Sequence, residues 1–92
     1  MTEYIMINHG VGSPENWDKY FTMLFDNKHM IGGSALDHGI SVNASVFSEA
    51  VSKTITGYIV FQAESLDKAK EIALKSPVHE AGGLVEIFTL VK

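Results

Sequence analysis

Apolar and polar positions alternate along this chain with two different periods. Glu3 to His9 is a short run rich in Ile and Tyr, halted by Gly10-Val11-Gly12, and it predicts a strand. Ser13-Pro14 then marks a helix start, with Ser at the N-cap and Pro at the first helical position. Trp17, Tyr20, Phe21, Leu24 and Phe25 follow at i, i+3, i+4, i+7 and i+8, which is one apolar helical face. This helix is expected to stop near His29, before Gly32-Gly33.

A second strand is predicted from Ser34 to Val42, interrupted by the turn-like triplet Asp37-His38-Gly39, which implies a bulge or a break into two short pieces. Asn43 to Thr54 reads as a polar connection with Val46, Phe47 and Val51 set into it. Ile55 to Ala63 is the clearest strand, carrying Tyr58, Ile59, Val60 and Phe61. Ser65 caps a second helix whose stripe is Leu66, Ala69, Ile72 and Ala73, and Ser76-Pro77 ends it. Gly82-Gly83 turns the chain into a last strand, Leu84 to Val91.

The order is β-α-β-β-α-β. It predicts an α+β, ferredoxin-like sandwich over residues 1–92 as a single domain. One four-stranded antiparallel sheet carries both helices on one face. The first strand and the Ile55–Ala63 strand lie side by side in its middle.

A sheet with helices on one side and water on the other alternates apolar with polar. These strands do not. Ile5 and Ile7 share one face of the first strand; Tyr4, Met6 and Asn8 share the other. Gly57, Ile59 and Phe61 oppose Thr56, Tyr58, Val60 and Gln62; Val85, Ile87 and Val91 oppose Glu86, Phe88 and Leu90. Assigning the aliphatic sets to the helices leaves Tyr4, Asn8, Tyr58, Val60 and Glu86 on the opposite face. That face is too apolar for a monomer to leave in water. A second copy covering it makes a homodimer; a small molecule held there by its scattered polar groups makes a binding cavity.

Specific stretches resemble a known family. Ile31-Gly32-Gly33-Ser34-Ala35-Leu36 with Gly39-Ile40-Ser41-Val42 resembles the second strand of the YCII-related family, in its DGPF-type branch. Phe47-Ser48-Glu49-Ala50 looks like the end of that branch's namesake segment. Thr56-Gly57-Tyr58 into Ala63-Glu64-Ser65-Leu66-Asp67-Lys68-Ala69 resembles its third strand and helix start. Pro77, then Gly82-Gly83-Leu84-Val85-Glu86-Ile87, is similar to its C-terminal pattern. The resemblance covers roughly residues 30 to 92. It implies a dimeric α+β barrel made by two ferredoxin-like sheets packed face to face, and in some members a small enzyme with a His-Asp pair. Several family positions differ here. Ala44-Ser45-Val46 stands where the namesake motif has Asp-Gly-Pro. No His lies on the first helix between Trp17 and Leu24, Ser76 replaces an Asp, and Phe88 replaces a frequent Arg. The family's acid-base pair therefore carries over to no residue.

Composition narrows the function classes. The chain has 92 residues, 46% hydrophobic and 20% charged, which is globular composition. It has no Cys, which excludes disulfide scaffolds, zinc fingers and thiol nucleophiles. Seven Lys and no Arg stand against eleven acidic residues, for a net charge of −4, which argues against nucleic-acid binding. No apolar run approaches the roughly 20 residues of a membrane span. The opening Met1-Thr2-Glu3-Tyr4 has no signal-like pattern, so a cytoplasmic protein is expected.

The four His are scattered without metal-ligand spacing, so no metal and no cofactor is expected. His29 and His38 read as structural or exposed. His9 ends the central first strand and His79 lies in the connection to its neighbour, so the two are placed near one end of the sheet, with Glu80 or Glu86 as carboxylate partner. Imidazole there suits acid-base work or ligand anchoring. Glu86 sits mid-strand on the face expected to be covered, with Tyr4 and Tyr58 as donors. Read as an unpaired charge, its removal by Glu86→Gln should raise stability. The candidate ligand-binding set is thus Tyr4, Asn8, His9, Tyr58, His79 and Glu86. Trp17, Tyr20 and Phe21 read as core, and Gly10-Val11-Gly12 lacks the third glycine of a nucleotide loop. Two function classes follow: a dimeric protein binding, and in an enzyme transforming, a small metabolite, or a non-catalytic dimerisation or accessory module.

Overall fold

The computed structural model describes all 92 residues. Its elements in chain order are β1 (Thr2–His9), α1 (Pro14–Asp26), β2 (Met30–Ala35), β3 (Ile40–Asn43), β4 (Val46–Glu49), β5 (Gly57–Ala63), α2 (Leu66–Leu74), α3 (Pro77–Glu80) and β6 (Leu84–Thr89). The main sheet is antiparallel with strand order β2-β5-β1-β6. Both long helices cover one face, so the fold is the expected ferredoxin-like sandwich with β5 and β1 at its centre.

Helix α1 begins as its Ser-Pro signature requires: the Ser13 hydroxyl accepts the Asn16 N–H at 3.2 Å. It ends at Asp26, short of His29. There the Asn27 side chain donates to the Met23 carbonyl at 2.8 Å, and Lys28 takes a left-handed φ of 60°. Phe25, still inside the helix, lies on its solvent side, outside the apolar face assigned to it. His29, beyond the helix end, is drawn into the fold, where its Nδ1 lies 2.9 Å from the Gln62 carbonyl and donates to it. Ser65 caps α2 by accepting the Lys68 N–H at 3.2 Å. The second Ser-Pro pair does more than stop α2. Ser76 accepts the Val78 N–H at 3.3 Å and Pro77 opens the single turn α3.

The predicted Ser34–Val42 strand divides in two. β2 ends at Ala35, with a bulge between Met30 and Gly32 against β5. Residues 40–49 instead form a separate two-stranded ribbon, β3–β4, so Val46 and Phe47 belong to a strand and not to a polar connection. Its turn places Ala44 and Ser45 at φ of 50° and 64°.

The two faces of the main sheet follow from register. Tyr4 pairs with Phe61 and Met6 with Ile59, and all four are buried under the helices with Tyr20, Leu24, Ala69 and Ile72. Tyr4 stacks on Phe61 with ring centroids 5.5 Å apart. Ile5 and Ile7 therefore lie on the other, open face, opposite Val60 and Tyr58. This corrects the assignment of β1: Tyr4 and Asn8 point to the helix side, Ile5 and Ile7 away from it. For β5 and β6 the assignment of Ile59, Phe61, Val85 and Ile87 to the helix side agrees with their packing on the core.

Candidate functional site

Asn8 and His9 are consecutive residues at the end of β1 and project to opposite faces of the sheet. Each anchors one polar arrangement.

On the helix side, a cavity of about 370 Å³ opens between α1 and the β2–β5 edge. Its roof is Trp17 and Phe21, stacked with centroids 5.3 Å apart. Its floor is made of residues with little or no side chain: Gly33, Ala35 and Gly57, with Ala35 paired to Gly57. Small residues under bulky aromatics leave the space unfilled. The backbone there is close-packed, since a Cβ added to Gly33 would lie 2.5 Å from the Tyr58 carbonyl oxygen. Gly10, Val11 and Gly12, leading into α1, form the end wall. The aromatic residues read as plain core are thus also cavity wall.

Asn8 is the polar group of this cavity. It is 2% exposed. The Ser76 hydroxyl accepts the Val78 N–H, which leaves its own proton to donate to Asn8 Oδ1 at 3.2 Å. Asn8 Nδ2 makes no hydrogen bond within the chain. No sealed side-chain polar atom lacks a partner, so this nitrogen is not sealed in the core, and Asn8 is one of the cavity's lining residues. A fixed donor in an otherwise apolar space orients a ligand that carries an acceptor. The Asn8 backbone is held as well, its carbonyl accepting the Thr56 N–H at 2.9 Å.

On the open face, His9 Nε2 lies 2.6 Å from Glu86 Oε1, and His9 Nδ1 lies 2.7 Å from the Thr54 hydroxyl. Both ring nitrogens are engaged, which fixes the imidazole. With Nε2–H donating to the carboxylate, Nδ1 accepts from Thr54. Glu86 is the carboxylate expected for His9; Glu80 is exposed on α3. Tyr58 shares this face, diagonal to His9 across the β1–β5 ladder.

The six sequence candidates therefore separate. His9 and Glu86 meet on the open face, which Tyr58 shares. Asn8 turns to the helix-side cavity, where Tyr58 contributes only to the lining strand. Tyr4 is core, stacked on Phe61, and cannot donate to Glu86. His79 is exposed at the end of α3 and is not brought to His9. Thr54, Trp17, Phe21 and the Gly33/Ala35/Gly57 floor were missed. Within the floor, Ala35 and Gly57 are small residues at paired positions of two strands, while Gly33 pairs with Ile59.

No family model matches the chain, and no curated protein sequence does. Among solved structures it is similar to 5-chloro-2-hydroxyhydroquinone dehydrochlorinase (TftG) from Burkholderia phenoliruptrix AC1100, in complex with 2,5-dihydroxybenzoquinone. The TM-score is 0.50 at 15% identity, over 91% of this chain and 90% of that chain. The likeness is one of fold. No helix is long and apolar enough to cross a membrane.

Proposed function

We propose that this chain binds a small, planar, oxygen-bearing molecule in the cavity between α1 and the β2–β5 edge. The observation that carries the reading is the free Asn8 Nδ2 donor beside the Trp17–Phe21 wall. The wall supplies apolar contact for a flat ring, and the amide supplies one directional hydrogen bond to a carbonyl or hydroxyl oxygen. A volume of about 370 Å³ falls in the range of small-molecule sites. The fold neighbour, in its complex with 2,5-dihydroxybenzoquinone, makes oxygenated six-membered rings the first class to try.

Trp17 is the sole tryptophan and lines the cavity, so binding reports on its own emission. The test is calorimetric titration with 2,5-dihydroxybenzoquinone, followed in parallel by Trp17 fluorescence. Saturable binding that Ala35→Phe abolishes, by filling the floor, supports the reading. Absence of saturable binding by this ring and by hydroquinone, or unchanged binding in Ala35→Phe, overturns it.

A second element of the reading rests on the open face. Ile5, Ile7, Val60 and Phe88 form an apolar band there, flanked by His9 and Glu86. Such a band is best covered by a second copy, giving a homodimer in which the His9–Glu86 pair lies at the edge of the shared face. A purely structural dimerisation module remains the competing function, and it predicts no ligand for the helix-side cavity.

A further inference from the structure

The β3–β4 ribbon has a face with nothing to cover it. Ile40, Val42 and Phe47 lie on one side, since Val42 pairs with Phe47 and Ile40 with Glu49. Ser41, Ser48 and Asn43 lie on the other with Val46. This is the alternation of a ribbon packed on one side and solvated on the other. Yet Ile40, Val42 and Phe47 are 74%, 60% and 69% exposed. No hydrogen bond ties β3 or β4 to the main sheet or the helices. The ribbon stands off the body: the radius of gyration is 14.2 Å, against about 12 Å for a compact chain of this length. An isolated two-stranded hairpin is marginal in water and needs a surface to pack on.

We propose that this ribbon is an arm that docks its Ile40–Val42–Phe47 face on a second copy of the chain. The proposal builds on the open-face association above and extends it. Four strands at about 4.8 Å spacing and roughly 20 Å length project to about 400 Å². A stable interface buries about 800 Å² per partner. The accessible area of the face exceeds this projection, but Glu3, His9, Gln62 and Glu86 occupy part of it, so its apolar area alone is small for that task. Five of the fifteen exposed large apolar side chains lie between residues 40 and 51, making the arm the main additional apolar surface. The arm leaves the sheet between Ala35 and Gly57, at the end of the sheet that carries His9, so the two uncovered surfaces adjoin. A two-fold pairing covers both at once on both copies. Charge does not oppose it. The one acid on the apolar face, Glu49, is paired with Lys53 at 3.2 Å.

Docking also has a consequence for the open-face pair. Thr54, on the return leg of the arm, holds His9 Nδ1. A seated arm fixes that leg, and with it the imidazole.

The test is the dimer dissociation constant by sedimentation equilibrium for the wild-type chain, Phe47→Asp, Ser48→Asp and Val60→Lys. Phe47 touches no core residue, so its replacement leaves the monomer folded, checked by circular dichroism. Phe47→Asp should weaken the dimer at least tenfold, about 1.4 kcal/mol, while Ser48→Asp on the opposite side changes it less than about threefold. Val60→Lys should weaken it as strongly. If Phe47→Asp leaves the constant unchanged while Val60→Lys raises it, the arm proposal falls and the open-face reading stands. If the wild-type chain is monomeric at high micromolar concentration, both fall, and the arm serves a different occupant.

Discussion

Glu86 Oε1 sits 2.6 Å from His9 Nε2, diagonally across the β1–β6 ladder, where Glu86 is directly opposite Ile7 and His9 opposite Leu84. Diagonal neighbours on one sheet face are within reach of long side chains. The His9 side chain is 14% exposed and Glu86 43%, so the contact is partly shielded from water. This reverses the sign expected from the strand pattern, in which Glu86 was an uncompensated charge. Glu86→Gln keeps an acceptor but loses the charge assistance. It should lower stability by roughly 0.5–1 kcal/mol, discounted for the exposure of the carboxylate. In a His9→Ala background the same change should cost close to nothing. Urea titration of the four members of this cycle measures it. An equal cost in both backgrounds would show that the pair contributes no coupling.

What the sequence made legible is the order of the four main-sheet strands and the two long helices, the Ser13 and Ser65 caps, and the central position of β1 and β5. Those features are local or follow from connection rules. The faces of β1 were not legible for a physical reason. Both of its faces are apolar, and the choice between them depends on register against β5, where a slip of one residue exchanges them. Judging by aliphatic content put Ile5 and Ile7 inside. The stacking of Tyr4 on Phe61 puts them outside. The candidate site was scattered by the same error, since Asn8 and Tyr4 turned with the strand. The His9–Glu86 contact survived because His9 and Glu86 share the open face in the actual register. The arm was hidden because its apolar residues alternate with polar ones between the turn-like Asp37-His38-Gly39 and the Ser52–Thr54 run, so the segment reads as a connection.

Gly33 and Gly32 are neighbours with opposite tolerance. A Cβ on Gly33 would meet the Tyr58 carbonyl oxygen at 2.5 Å and the Ile59 Cα at 3.1 Å, both backbone atoms. A Cβ on Gly32 meets nothing within 4 Å. Gly33→Ala should cost about 2 kcal/mol or more by prising β2 from β5, and Gly32→Ala no more than about 0.5 kcal/mol. Because Gly33 is also cavity floor, Gly33→Ala should weaken the binding proposed above along with the fold. Comparable denaturation midpoints for the two variants would contradict this packing.

Ser76 is fully buried and makes two contacts with one oxygen. It accepts the Val78 N–H that starts α3 and donates to Asn8 Oδ1. Ser76→Ala therefore removes a cap and strands a buried acceptor. The expected cost is about 1–3 kcal/mol. Amide exchange should localise it, with protection lost first at α3 and at the end of β1. Uniform loss across the sheet would mean that Ser76 acts by packing alone.

Tyr20 carries the pH dependence. Its hydroxyl is buried and donates to the Ile72 carbonyl at 2.7 Å. Burial disfavours the phenolate and pushes the Tyr20 pKa well above its ordinary value. In the unfolded chain tyrosine titrates near pH 10. The folded state thus holds its proton more tightly than the unfolded state. The stability linked to this proton is complete below about pH 10 and is lost as pH rises toward the folded value, by up to about 1.4 kcal/mol per pH unit. Tyr20→Phe loses the hydrogen bond, which costs roughly 1 kcal/mol at neutral pH. It cannot ionise, so it escapes the alkaline loss. The wild-type advantage should hold to about pH 9.5, shrink through pH 10 and vanish near pH 11. Ionisable groups common to both proteins cancel in the difference. Urea unfolding of the pair at pH 7, 9, 10 and 11 decides it, and a difference that stays constant to pH 11 would show that the Tyr20 hydroxyl reaches solvent in the folded chain.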